Sequence, residues 1–377
     1  MTQTTDSLPD DPHTSGAEPA QESRRSAAVE GLVVALAPDY FEVAVDGSVY
    51  LCTARGRLRK ARQPAAVSIS ARRGASQAGQ SSSRTPSGRR PAVPQVVAPT
   101  TPARPTSIAT GDHVQITLLG QDRGVIEDIE PRRNALSRTR SEMDTEHIMM
   151  ANVDLAILVF AVREPEPRLG LLDRYLALCE RASIPALILF NKVDLEASAE
   201  VEEAMALYAA IGYPVAQTSA TTGQGVDGLR DWLAGRTSLL TGPSGVGKSS
   251  LMNVILPHAD QRIGEISEAT GKGRHTTTGA RLLPLPEGGW LADTAGIREL
   301  GLWNVPAEAL PSCFVELRPI ADDCEYEDCG HAEGEEGCAL RAALAEGRIS
   351  PSRWESFERL LAEAREKEAP RWLPSGR

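Results

Sequence analysis

The chain has 377 residues, with 40 basic and 51 acidic side chains and a formal net charge of −11. Hydrophobic residues make up 41%, enough to bury a core in each of two or three domains. These values exclude a wholly disordered, collagen-like or disulfide-stapled protein, and the longest apolar runs, at 155–162 and 186–190, fall far short of the ~20 residues that span a bilayer.

Residues 1–28 are rich in Ser, Thr, Pro, Asp and Glu without an apolar period, and read as a disordered tail. No charged stretch followed by an apolar run opens the chain, so the expected compartment is the cytoplasm, where cysteines stay reduced. From Gly31 to Leu58, apolar and polar residues alternate around Pro38-Asp39 and Asp46-Gly47, which predicts three strands joined by two turns. Residues 62–108 turn low-complexity in Ala, Ser, Pro, Gly and Arg, an insertion that cannot pack a core. Strands resume at Asp112 with a hairpin signal between Gly120 and Gly124, so 29–131 predicts a small barrel of about five strands.

Charge is uneven along the chain. Between Asp46 and Asp112 lie eleven basic residues and no acidic one. That stretch suits a polyanionic partner, and it equally suits a solvated linker in a chain that uses 35 Arg and only 5 Lys.

From Ala151 the pattern becomes strand–helix–strand. Buried strands are predicted at 151–162 and 184–190, a short one at 213–220 and another at 237–240, with helices at 169–183, 201–212 and 225–235 between them. Such alternation predicts a parallel α/β sheet with right-handed crossovers over 132–302. After Gly301 the strand patterns stop, and 303–368 carry a Cys–His cluster followed by helical sequence, with 369–377 as a tail.

The strongest motif is Gly242-Pro243-Ser244-Gly245-Val246-Gly247-Lys248-Ser249-Ser250, between a predicted strand and a predicted helix. It is a phosphate loop: the glycines let backbone N–H groups wrap phosphates, Lys248 brings a point charge, and the Ser249 hydroxyl ligates Mg²⁺. Asn191-Lys192-Val193-Asp194 follows a strand at the sheet edge where α/β proteins bind ligands. An Asp194 carboxylate accepts from both N1–H and the 2-amino group of guanine, and adenine would leave it unpaired. Asn191 can brace the loop and the base edge, and the Lys192 stem can cover the ring. Thr218-Ser219-Ala220 follows the next strand, with the backbone of Ser219 and Ala220 available to the base carbonyl.

Asp293-Thr294-Ala295-Gly296 follows another predicted strand, at 290–292, where Asp293 would hold Mg²⁺ through water and the Gly296 N–H would reach the γ-phosphate. Gly271-Lys272-Gly273-Arg274-His275-Thr276-Thr277-Thr278 is a glycine-spaced loop ending in hydroxyls, of which Thr277 can join the Mg²⁺ shell. Ile297 stands where many GTPases carry a water-orienting Gln, which makes His275 the best substitute within the chain.

These are the five motifs of a GTPase domain in a permuted order, because NKVD and TSA precede the phosphate loop. Permutation makes DTAG lead straight into the C-terminal domain, a route by which nucleotide state could reach it. In that domain, Cys324, Cys329, His331 and Cys338 fall within 15 residues and match a closed tetrahedral zinc site, one structural ion with no open position for water. Cys52, Cys179 and Cys313 read as ordinary buried thiols.

The order of these motifs resembles the bacterial small ribosomal subunit biogenesis GTPase family, RsgA. PRRNALSR at 131–138 and GIRELGLW at 296–303 add to the likeness, which spans 30–61 and 109–365. The resemblance implies an N-terminal OB-fold, a circularly permuted GTPase domain and a C-terminal helical zinc-binding domain. It implies GTP hydrolysis that is slow alone and stimulated by the 30S subunit, in late maturation of the small ribosomal subunit. Its implied partners are the 30S subunit, 16S rRNA and GTP or GDP, with no membrane, and a monomer is expected. His275 is similar to the family's catalytic loop histidine. Two readings compete with this one: a permuted GTPase serving another ribosomal or RNA partner, and a nucleotide-regulated binding module with negligible turnover.

Overall fold

The structure, a computed structural model, describes residues 28–56, 58, 107–140, 145–257, 280–293 and 305–368. The expected N- and C-terminal tails and the 62–108 insertion lie almost wholly outside the described residues. So do His275 and Thr277 of the glycine-spaced loop, and Gly296.

Five strands close into a barrel: β1 (Val29–Leu36), β2 (Phe41–Val45), β3 (Ser48–Ala54), β4 (His113–Gly120) and β5 (Arg123–Ile129). The order around it is β1-β2-β3-β5-β4, with β1 returning to pair β4. Asp46 and Gly47 turn β2 into β3 with positive φ at both positions (46° and 81°), the geometry that matches the twist of a two-residue hairpin. β3 and β5 run parallel, and a parallel pair needs a long crossover; the low-complexity segment falls in that connection. Val33, Val43, Cys52, Val114, Ile116 and Ile126 point inward and are fully buried.

A hairpin that the sequence reading did not assign follows: β6 (Ala135–Arg140) and β7 (Thr145–Ala151). Leu136, Met149 and Met150 carry it into the central core.

The central sheet has the order β10-β9-β8-β11-β13-β12. Its elements in chain order are β8 (Leu155–Ala161), α1 (Leu169–Arg181), β9 (Ala186–Asn191), α2 (Ala199–Ala210), β10 (Val215–Thr218) and α3 (Val226–Leu233). β11 (Arg236–Thr241), α4 (Lys248–Ile255), β12 (Arg281–Pro284) and β13 (Gly289–Asp293) complete it. β8 and β9 are buried at every position, as expected for parallel strands covered on both faces. The sequence predicted a parallel sheet, and β8, β9, β10, β11 and β13 run parallel. β12 instead runs antiparallel at one edge, a four-residue strand ending in Pro284 that alternation cannot mark and that proline restricts to an edge. Connections leave β8 and β11 in opposite directions, so the ligand crevice of the sheet lies between these two neighbours.

The C-terminal lobe is helical: α5 (Arg318–Ala321), α6 (Ala339–Ala345) and α7 (Pro351–Glu368), with short 3₁₀ turns before them. Leu310, Phe314, Leu317, Leu340, Phe357 and Leu360 form its core, which also takes in Ala177 of α1. Arg353 of α7, only 2% exposed, docks this lobe onto the central domain. Its guanidinium binds Asp173 of α1 and donates to Glu316 at 2.6 and 3.0 Å, and it lies 4.6 Å over the Phe314 ring. Asp173 also accepts from the Tyr208 hydroxyl of α2 at 2.6 Å. Burial works against the Arg353 charge, but Glu316 and Asp173 more than offset it and raise its pKa. No helix among the described residues is long and apolar enough to cross a membrane.

Candidate nucleotide site and metal centre

Four of the predicted motifs meet at the carboxyl edge of the central sheet. NKVD starts at the last residue of β9, TSA at the last residue of β10, the phosphate loop follows β11, and Asp293 is the last residue of β13. Parallel pairing puts them level: Thr218 is opposite Asn191, and Leu239 is opposite Ala292.

The phosphate loop holds a conformation that requires glycine. Gly242, Gly245 and Gly247 have φ of 150°, 83° and 92°. A Cβ on Gly242 would sit 2.0 Å from the Val159 carbonyl oxygen of β8, and one on Gly247 would sit 2.3 Å from Asn191 Nδ2. Val246 between them is buried and anchors the loop in a core cluster with Leu240 and Leu251. Lys248 and Ser249 open α4, and Pro243, Ser244 and Ser250 lie on the loop or first helical turn. Lys248 Nζ donates to the carbonyls of Gly242 at 2.8 Å and Pro243 at 2.5 Å, so its side chain arches back over the loop.

Asn191 links three loops. Its Nδ2 donates to the Val246 carbonyl at 2.8 Å, while Oδ1 accepts from Thr218 Oγ1 at 3.1 Å and the Ala220 N–H at 3.3 Å. The side chain is 1% exposed and braces the site from within. Lys192 has a φ of 64° and its ammonium reaches the Glu164 carbonyl of the segment after β8. Asp194 is exposed, and Ser219 Oγ donates to it at 2.5 Å, which fixes the direction of the carboxylate. Ser219 Oγ also accepts from the Thr222 N–H, and the Val193 N–H bonds the Thr218 carbonyl. NKVD and TSA are therefore one hydrogen-bonded unit. The sequence motifs located these loops, but nothing in them identified Ser219 as the group that orients Asp194.

The second centre lies in the C-terminal lobe. Cys324, Cys329, His331 and Cys338 each bring one ligand atom, all within 4.8 Å of one another. His331 Nδ1 lies 3.5 Å from Cys338 Sγ and 3.8 Å from Cys324 Sγ. The surrounding loop is braced around His331: Glu335 accepts from the Gly330 and Ala332 N–H groups at 2.7 Å, and Arg341 and Arg365 donate to the carbonyls of His331 and Gly330. Burial lowers the His331 pKa and so favours the neutral imidazole that ligates metals. Burial also pushes the Cys329 thiol up to about 12, a preference that a divalent cation reverses by binding the thiolate. Three thiols and one imidazole in this geometry can hold a tetrahedral ion. Cys52, Cys179 and Cys313 are buried elsewhere, and burial raises them to about 12, 12 and 11.

Comparison with known proteins agrees with this architecture. Residues 129–303 match the model of the RsgA GTPase family. Small ribosomal subunit biogenesis GTPase RsgA of Gemmatimonas aurantiaca is 46% identical over 260 residues, covering 68% of this chain and 84% of the relative. The protein of the same name from Moorella thermoacetica is 46% identical over 264 residues, covering 70% and 87%. Among solved structures, YjeQ from Thermotoga maritima superposes with a TM-score of 0.64 at 28% identity, covering 89% of this chain and 98% of that one. YloQ, a circularly permuted GTPase, gives 0.62 at 25% identity, covering 94% and 100%. With a closed barrel, a permuted GTPase sheet and a Cys–His centre in the same order, the chain belongs to the RsgA family of small ribosomal subunit biogenesis GTPases.

Proposed function

We propose that this protein binds and hydrolyses GTP slowly on its own, and faster on the 30S subunit, as a cytoplasmic monomer acting in late maturation of the small ribosomal subunit. The observation that carries this reading is Asn191, which joins the phosphate loop, NKVD and TSA into one site. In the assignment we propose, Asp194 reads the guanine N1–H and 2-amino group, with Lys192 and Val193 along the ring and the backbone of Ser219 and Ala220 at the base carbonyl. Gly242 to Ser250 cradle the phosphates, and Lys248 exchanges its loop carbonyls for the β- and γ-phosphates. Mg²⁺ is held by Ser249 directly and by Asp293 through water, with Thr277 and Gly296 completing the γ-phosphate shell. His275 orients the attacking water. Zn²⁺ at Cys324, Cys329, His331 and Cys338 acts as a structural ion.

The partner assignment rests on family membership and on the flanking domains, since the phosphate chemistry is common to permuted GTPases with other partners. The 16S rRNA is the expected polyanion for the barrel and its basic insertion. Co-sedimentation tests it. With a non-hydrolysable GTP analogue the protein pellets with 30S subunits and not with 50S subunits, and GDP weakens the association. Equal pelleting with both subunits would reassign the partner.

A further inference from the structure

The barrel packs against the GTPase domain at β12, among other places. Val34 and Ala44, on the outer face of β1 and β2, belong to the same buried cluster as Ala280 and Leu282 at the start of β12. Two polar contacts fix the same spot. The Thr110 hydroxyl, on the segment entering β4, is fully buried and donates to the Ala280 carbonyl at 2.9 Å. Arg281 Nη2 donates to Glu42 Oε1 of β2 at 2.7 Å, and Glu42 is 3% exposed. Among the described residues Glu42 Oε2 is buried with no partner, and the Arg281 contact is the one that compensates this carboxylate. Thr110 cannot drift, because its own carbonyl accepts from the Ala151 N–H at 2.9 Å, and a Cβ on the next residue, Gly111, would meet the Ala151 oxygen at 2.1 Å.

Ala280 is two residues beyond Thr278, the last residue of the glycine-spaced loop, and β12 pairs with β13 so that Arg281 faces Asp293. We infer that Thr110 and Glu42 are positioning residues for GTP hydrolysis: through Ala280 and Arg281 the barrel sets the register of the strand that leaves the GRHTTT loop and aligns Asp293. The inference rests on the proposed GTPase reading and adds a route by which a polyanion on the barrel changes turnover. Neither residue touches nucleotide. Their effect is on geometry, where small displacements carry large rate penalties.

The test uses the full chain with Thr110→Val and Arg281→Met, which remove the two contacts, and Thr110→Ser and Arg281→Lys, which retain a donor at each. Fluorescent-GDP affinity within about twofold of wild type reports an intact site. The expected result is a loss of about tenfold or more in 30S-stimulated kcat for Thr110→Val and Arg281→Met, with KM for the subunit unchanged and the rate largely recovered in Thr110→Ser and Arg281→Lys. Wild-type stimulated rates in the contact-removing variants overturn the inference, as does a loss that the donor-retaining variants do not recover. If wild-type turnover itself is unmoved by 30S, the functional reading fails. Hydrogen exchange over 280–284 in the GTP-analogue complex then decides the inference alone: faster exchange in Thr110→Val supports it, and unchanged exchange overturns it.

Discussion

At the residue scale the account turns on Asn191 and Asp194, which stand three positions apart and do different work. Asn191 is buried and spends its amide on Val246, Thr218 and Ala220. Asn191→Ala leaves those groups unpaired in the interior, so it should cost about 2–3 kcal/mol of stability and weaken GDP binding roughly tenfold or more, read by thermal melts and titration calorimetry. Asp194 is exposed and its carboxylate is held by Ser219, so its substitution should change specificity instead. Asp194→Asn replaces an acceptor by an amide that can donate to the 2-oxo group of xanthine. GTP affinity should fall on the order of 100-fold while XTP affinity rises, measured by competition against labelled nucleotide. Cysteine chemistry separates the two classes of thiol. With metal bound, no thiol should react quickly with a disulfide reagent. After chelation, Cys324, Cys329 and Cys338 should react, and the buried Cys52, Cys179 and Cys313 should not. The motif residues were legible because phosphates, guanine and metal ions each demand fixed residue types at fixed spacing. Ser219 was legible only as part of a weak dipeptide, because its role depends on a contact between loops 25 residues apart.

At the scale of elements, hydrophobic period marked every long strand and helix of the central sheet, since β8 and β9 are buried throughout and α1 keeps one apolar face. It missed β12, too short and closed by a proline, and the β6–β7 hairpin, whose ALSRTR and TEHIMMA do not alternate strictly. It also gave no sign of Arg353, which lies in the charge-rich helix SRWESFERLLAEAREKE yet is as buried as the core aromatics around it. That burial fixes the C-terminal lobe against α1 and α2, the helices on either side of β9. Arg353→Met leaves Asp173 and Glu316 without a counter-charge and should destabilise the protein by about 3–5 kcal/mol in thermal or urea melts. Exposed pairs such as Arg348–Glu346 should be close to neutral when broken.

For the whole molecule, the barrel and the C-terminal lobe are attached to different parts of the GTPase domain. The barrel grips the edge strand β12, next to the strand that ends in Asp293, while the lobe is held through α1, which leads into β9 and the NKVD loop. A ligand that spans both flanking domains would therefore bear on both halves of the nucleotide site. The sequence suggested a relay through DTAG into the C-terminal domain; residues 294–304 of that route lie outside the described residues, and the Arg353 contacts supply a second connection through α1. The order of domains could be read from the chain because each has its own signature: alternation, strand–helix alternation with phosphate motifs, and clustered Cys and His. How they dock could not, because it depends on single buried polar residues such as Thr110, Glu42 and Arg353 that look ordinary in sequence. Switching of this GTPase by the small subunit is tested by steady-state turnover of the full chain, alone and with purified 30S or 50S subunits. The account predicts slow GTP hydrolysis that rises sharply with 30S, does not rise with 50S, and has no counterpart with ATP; turnover unchanged by 30S, or raised equally by 50S, would contradict it.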